Sequence, residues 1–284
     1  MIVFSASQFS LVWGLMATMA YALGAIFGGR LSAAQSRHYL WLISLFHGLS
    51  VIASLIPAED GLARFGFAPA LSATAWLVLL VYTIEHHWFP QMQTRWLMSG
   101  AGMVAVMLPL VFPGHALHNA SSVWLPFHWL LGMASYALFA AAVVHASLMN
   151  RAERQIRVGA VDPTGLPLLT LERLTFRFVN LGFALLTATL LAGWLFGEQL
   201  YGPDKALRFD HKTVLALMAW FVFLVLIWGR KHRGWRGALA VRTLYGGALC
   251  LFLSYAGSRF VTEVLLGRSE EHTSELQSRV DISY

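Results

Sequence analysis

Charged residues are scarce in this chain: they make up 12% of its 284 residues, while 57% are hydrophobic. An ordinary soluble domain is roughly 25% charged. That scarcity argues against a soluble enzyme, and the wealth of apolar residues excludes a disordered chain. There is a single cysteine, Cys250, so no intramolecular disulfide and no cysteine-based metal or redox motif can form. The sequence has no H-E-x-x-H and no nucleophile–base–acid set. Its glycine pairs, Gly28-Gly29 and Gly246-Gly247, read as a turn and a close helix contact, because they lack the strand–loop–helix setting of a phosphate loop. No stretch keeps the two-residue alternation of a membrane strand, which argues against a barrel.

What is present is a succession of apolar runs about 20 residues long, each able to cross ~30 Å of hydrocarbon as a helix. Eight spans are predicted, at 8–27, 39–57, 67–86, 95–113, 127–149, 177–197, 211–229 and 238–266. The fold class is therefore all-α, a polytopic membrane helix bundle whose first partner is the lipid bilayer. Pro57, Pro90, Pro113 and Pro126 mark span ends, where a missing N–H does little harm. Pro109 lies inside the fourth span and is expected to kink it.

The net charge is +6, and the basic residues sit in short loops, which makes them a topology signal rather than a nucleic-acid surface. One set of loops holds Arg30, Arg37, Arg95, Arg151, Arg154, Arg157, Arg173, Arg177, Arg230, Lys231, Arg233, Arg236 and Arg242. The other holds only Arg64, Lys205, Arg208, Lys212, Arg259, Arg268 and Arg279. The richer side is cytoplasmic by the positive-inside rule, so both termini face outward. The first span has no basic leader and no cleavage site and is expected to stay as an anchor. The longest cytoplasmic loop, about 150–176, begins with a continuation of the fifth helix and contains the turn signal Asp162-Pro163-Thr164-Gly165. Two segments follow from this reading: a transmembrane domain, 1–268, and a polar tail, 269–284. The tail, SEEHTSELQSRVDISY, has no apolar stripe and resembles foreign, adapter-derived sequence.

Ionisable groups at membrane depth are functional candidates by default, and the chain has 11 histidines. His38, His86, His87, His145 and His232 fall near the cytoplasmic side and read as solvated or interfacial. His115 and His118 share an H-x-x-H spacing in an outward loop, with no acid or cysteine nearby to complete a metal site. His47 lies mid-span, where a neutral imidazole must hydrogen-bond or ligate something. His128 and His211 begin two helices at the outward face, with Asp210 placed to cap the second. Two imidazoles at one membrane face can clamp an iron porphyrin, with Arg64, Arg208, Lys212 and Arg259 near enough in topology to pair with its propionates. The same positions also suit ordinary interfacial histidines. Arg259 and Glu263, four residues apart, can neutralise each other on one helix face. Trp124, Trp129, Trp194 and Tyr201 fit an interfacial aromatic belt or a platform for a flat ring.

The stretches HWLLGMASYALFAAAVVHASL, LPLLTLERLTFRFVNLGFALLTATLLAG, DHKTVLALMAWFVFLVLIWGRKHRGWRG and LSYAGSRFV resemble the bacterial cytochrome c assembly membrane proteins of the CcsA/CcmC type, in a YpjD-like branch. The resemblance runs over about residues 9–267, and its specific motifs lie in the second half. The haem-handling relatives carry a tryptophan-rich WWD motif before the seventh span. Asp210, Lys212 and Trp220 match it, whereas Leu207, Phe209 and Leu215 stand in place of tryptophans and His211 in place of a proline. His128 fits the first of the relatives' outer histidines, and His47 fits one of their in-membrane histidines. No histidine matches the second outer one. The resemblance implies a protein that binds or passes on haem without converting it chemically, hence not an enzyme. Haem is the expected cofactor, held by His128 and His211 at iron, with His47, Asp210, Arg208, Lys212 and Arg259 as further contacts. Other cytochrome c assembly proteins are the expected partners. Two alternatives remain open: a haem-free scaffold or solute transporter on the same fold, and a membrane regulator of haem biosynthesis.

Overall fold

The computed structural model describes residues 6–55, 64–88, 95–116, 124–159, 167–197 and 211–261. In chain order the elements are α1 (Ala6–Phe27), a 3-10 turn (Gly28–Arg30), α2 (Ala33–Leu55), β1 (Arg64–Phe65), α3 (Phe67–Trp88), α4 (Arg95–Val111), β2 (His115–Ala116), α5 (Trp124–Arg157), α6 (Leu168–Leu195), α7 (His211–Arg233) and α8 (Gly237–Phe252). The last helix runs on through a π-helical stretch, Leu253–Gly257, into a final turn, Ser258–Phe260. Eight helices stand where eight spans are predicted. Seven are long and apolar enough to cross a membrane, and α4 supplies a shorter apolar segment, Ser99–Val111. The tail, 269–284, lies outside the described residues.

The helices divide into two packed groups. Ala17, Tyr21, Ile43, Leu79 and Val106 form a core among α1–α4. Phe139, Leu171, Val179, Phe223, Leu226 and Leu244 form a larger one among α5–α8. Phe139 and Phe223 stack face to face at its centre, with centroids 3.7 Å apart. The opposite faces are apolar and uncovered: on α1, Leu11, Leu15, Met19 and Leu23 recur at helical spacing and are exposed. A stripe of that kind is what a lipid-facing helix surface requires.

Three places bear on the sequence expectation, and the start of the sixth helix departs from it. At 34 residues, α5 is about 51 Å long, so its charged end projects beyond the hydrocarbon, as the expected continuation requires. The sixth helix starts at Leu168, nine residues before the predicted span, which leaves a cytoplasmic connection much shorter than 150–176. The added turns are held down by charge: Arg230 of α7 donates to Glu172 at 2.8 Å and lies 3.6 Å over the Phe176 ring. Pro109 falls in the last turn of α4, and the helical bonding continues past it, with the Phe112 N–H donating to the Leu108 carbonyl at 2.8 Å.

At the face assigned to the outside, β1 and β2 pair antiparallel, Arg64 opposite Ala116 and Phe65 opposite His115. Gly114 makes the approach possible. Its φ is +84°, and a Cβ there would lie 2.6 Å from the Phe65 backbone.

The glycine pair in α8 supplies a direct check on the packing. A Cβ at Gly247 would come within 2.7 Å of the Phe223 ring, whereas one at Gly246 meets nothing within 4 Å. Gly247→Ala is expected to cost about 1–3 kcal/mol from overpacking. Gly246→Ala is expected to be neutral or to stabilise by up to about 1 kcal/mol from helix propensity. Thermal unfolding of the two variants in one detergent distinguishes them.

Candidate functional site

His47 is fully buried, and both of its ring nitrogens have partners. Nδ1 lies 2.7 Å from the Tyr21 hydroxyl and Nε2 lies 3.1 Å from the Ser72 hydroxyl. A neutral imidazole donates through one nitrogen and accepts through the other, and a hydroxyl can do either, so both tautomers satisfy the ring completely. The three residues belong to α2, α1 and α3, so one side chain ties three helices. Beside it, Trp76 donates to the Ser44 carbonyl at 2.8 Å and packs where Gly48 leaves room; a Cβ at Gly48 would meet its ring at 2.9 Å.

His128 sits near the outward end of α5, half-buried. Its ring faces α6 at Gly193, whose missing Cβ would lie 3.5 Å from Cε1. The next residue, Trp129, stacks on Phe65 of β1 with centroids 4.2 Å apart and planes 4° apart. The small sheet, Trp129 and His128 are thus neighbours at the outward face. Arg64 and His115, two sequence candidates, belong to the same sheet.

His211 is the first residue of α7 and is exposed, and Lys212 after it is half-buried. Trp220, the tryptophan that matches the WWD motif, joins α7 to α6: its indole N–H donates to Thr187 Oγ1 at 2.9 Å and its ring stacks on Phe183. Arg259 lies in the last helical turn. Arg208, Asp210, His118, Tyr201 and Glu263 lie outside the described residues. The structure therefore places His128 and His211 at the outward ends of α5 and α7, with α6 packed against both helices, and sets His47 apart from them in the α1–α4 group.

LSYAGSRFV coincides with the π-helical stretch. Ser254 lies 3.1 Å from the Tyr136 hydroxyl of α5 and donates to the Leu251 carbonyl at 2.8 Å. A π turn inside a helix shifts the register of the residues beyond it and is frequent at functional sites. Here it leads directly into Arg259, and Phe260 meets Phe67 of α3 edge to face.

Two histidines read as solvated or interfacial are buried: His86 is 1% exposed and His145 is 2% exposed. For His145 the reason is a carboxylate on another helix, Glu85, which lies 3.2 Å away. The available signal was Glu85 itself, an acid inside the third predicted span. His38, His87 and His232 are exposed, as expected. Among the described residues no group of three or more histidine, cysteine, aspartate or glutamate side chains could hold a bare metal ion.

Residues 35–266 match the family described as Cytochrome C assembly protein. The chain is 26% identical over 277 residues to the inner membrane protein YpjD of Escherichia coli strain K12, covering 89% of this chain and 99% of that one. It is 31% identical over 154 residues to an uncharacterised 28.8 kDa protein of Azospirillum brasilense, covering 52% of this chain and 55% of that one. It is 29% identical over 96 residues to the cytochrome c biogenesis protein CcsA of Gloeobacter violaceus, covering 34% of this chain and 28% of that one. No solved structure matches the chain significantly.

The His47 tie predicts a coupled energetic signature. Tyr21→Phe is expected to cost about 0.6–2 kcal/mol, the range of a polar bond between membrane helices. In a His47→Ala background the same change is expected to cost almost nothing, because its partner is gone. Thermal unfolding of the two single variants and the double variant measures the coupling.

Proposed function

The chain belongs to the Cytochrome C assembly protein family, and from that premise we propose that it is a haem-binding protein of the inner membrane acting in cytochrome c assembly. It holds or passes on haem at the outward face and does not convert it. The observation that carries this reading is the position of His128: a half-buried imidazole at the outward end of α5, lodged against Gly193 and next to the Trp129–Phe65 stack.

The donor set fits the group. An imidazole is a normal axial ligand to haem iron, and His128 offers one held by packing on a helix rather than on a loop. His211 offers a second, at the start of α7, replacing the ligand that the WWD pattern leaves without a histidine. Lys212 and, from the sequence alone, Arg208 and Arg259 would supply cations for propionates, and Asp210 directly precedes His211 in the sequence, the position of an N-cap. Bound haem would bring the iron-centred redox chemistry. The residues named here would hold it at His128 and His211 and neutralise its carboxylates.

His47 has a different standing in this reading. Both of its nitrogens are engaged, so it becomes a ligand within the bilayer only after releasing Tyr21 or Ser72. It serves first as the polar tie of α1–α3. Attachment of haem to an apocytochrome needs cysteines on the acceptor, so this chain would act with that acceptor and, by its family, with other assembly proteins.

The full chain, purified in mild detergent from a haem-replete bacterial host, tests the ligand assignment. His128→Ala is expected to abolish the Soret band. His211→Ala is expected to shift it and weaken it several-fold, and His47→Phe to leave it in place. An unchanged Soret band in His128→Ala would remove His128 from the site.

A further inference from the structure

Glu85 of α3 and His145 of α5 meet inside the protein, nearer the side that carries the basic loops. Their residues are 6% and 2% exposed. Glu85 Oε1 lies 3.2 Å from His145 Nε2, and neither atom has an aligned hydrogen-bond partner among the described residues. The other ring nitrogen is committed: Nδ1 lies 2.8 Å from the Ala141 carbonyl. A carbonyl only accepts, so Nδ1 carries a hydrogen. Nε2 is therefore the one position of this ring that can gain or lose a proton. If it were bare and Glu85 ionised, two lone pairs would face each other at 3.2 Å with an unpaired negative charge buried beside them. One hydrogen between the two atoms removes that conflict. Placed on nitrogen it makes an imidazolium–carboxylate pair; placed on oxygen it makes a neutral pair.

We infer that Glu85 and His145 form a binding site for a single proton in the membrane interior, located where the α1–α4 and α5–α8 groups touch. With one proton the pair is neutral overall. With none or with two, a net charge is stranded among apolar side chains, so the proton count and the α3–α5 contact are linked. A small cleft lined by Val78, Val81, Tyr82, Ala141 and Val144 reaches both partners. Among the described residues, the neighbours on the packed helices do not supply a competing charge of fixed sign. On α3 the titratable neighbours are Tyr82 and His86, whose rings stack. On α6 the facing group is the Phe178 ring, 5.3 Å from that of His145. On α5 the nearest charge is Arg151, which is exposed. The site is separate from the outward histidines, so it stands or falls independently of haem binding.

The test uses the full chain in phospholipid nanodiscs with nitrogen-15 histidine. The His145 resonances are assigned by their loss in His145→Asn. In the wild type near neutral pH, Nε2 is expected to show a bound or strongly hydrogen-bonded proton. In Glu85→Leu it is expected at the position of a free lone pair. The reciprocal reading does not depend on the folding of that variant: His145→Phe is expected to shift the Glu85 carboxyl band, identified in infrared difference spectra against Glu85→Gln. A His145 signal unchanged in folded Glu85→Leu, or a Glu85 band unchanged in His145→Phe, would overturn the shared site.

Discussion

A polar side chain carried into hydrocarbon has to find its partner on the protein, because no water is there to take one. That requirement governs how these helices are joined. His47 answers it with Tyr21 and Ser72, Ser135 by donating to the Gly182 carbonyl, Tyr136 with Ser254, Trp220 by donating to Thr187 and His145 with Glu85. Each joins a different pair of helices, and apolar packing fills the space between. Such contacts are individually weak in membranes, about 0.6 kcal/mol on average. Their value lies in register: a helix turned by one residue would leave several of these groups unpaired at once.

The same constraint separates the two halves functionally. In the α1–α4 group His47 is saturated by Tyr21 and Ser72, whereas Glu85 turns to His145 of α5. In the α5–α8 group, besides the ties already named, several of the polar candidates of the sequence lie at the end assigned to the outside. His128 lodges against α6, α7 begins with His211, and the π-helical stretch of α8 leads into Arg259. The paired strands β1 and β2 reach across from the first half and stack Phe65 on Trp129. The proposed haem site rests on this face, where His128, His211 and the Trp129–Phe65 stack lie.

The spans were legible because twenty apolar residues in a row carry their own explanation, and the positive-inside rule needs only a comparison of loops. The errors share one cause: a partner far away in sequence. Residues 168–176 read as loop because Glu172 and Arg173 interrupt the apolar run; the helix continues there because Arg230 of α7, 58 positions on, pairs with Glu172. His145 read as interfacial because its carboxylate is on α3, and nothing in the spacing of Glu85 and His145 betrays the contact. His47 stood out as a buried group needing partners, yet Tyr21 and Ser72 are individually ordinary residues of a span. The two-residue strands have no periodicity to detect. The outward histidines were legible as positions and through their resemblance to a family, which is a statement about chemistry rather than about distance.

The central claim is that this protein carries haem on its outward face. Haem content per chain tests it most directly, measured by pyridine haemochrome on the full-length wild-type protein purified from a haem-replete host, with oxidised and reduced visible spectra. The account predicts near-stoichiometric haem, with sharp reduced α and β bands from imidazole ligation. A protein that is folded, monodisperse and devoid of haem even after addition of hemin would contradict it.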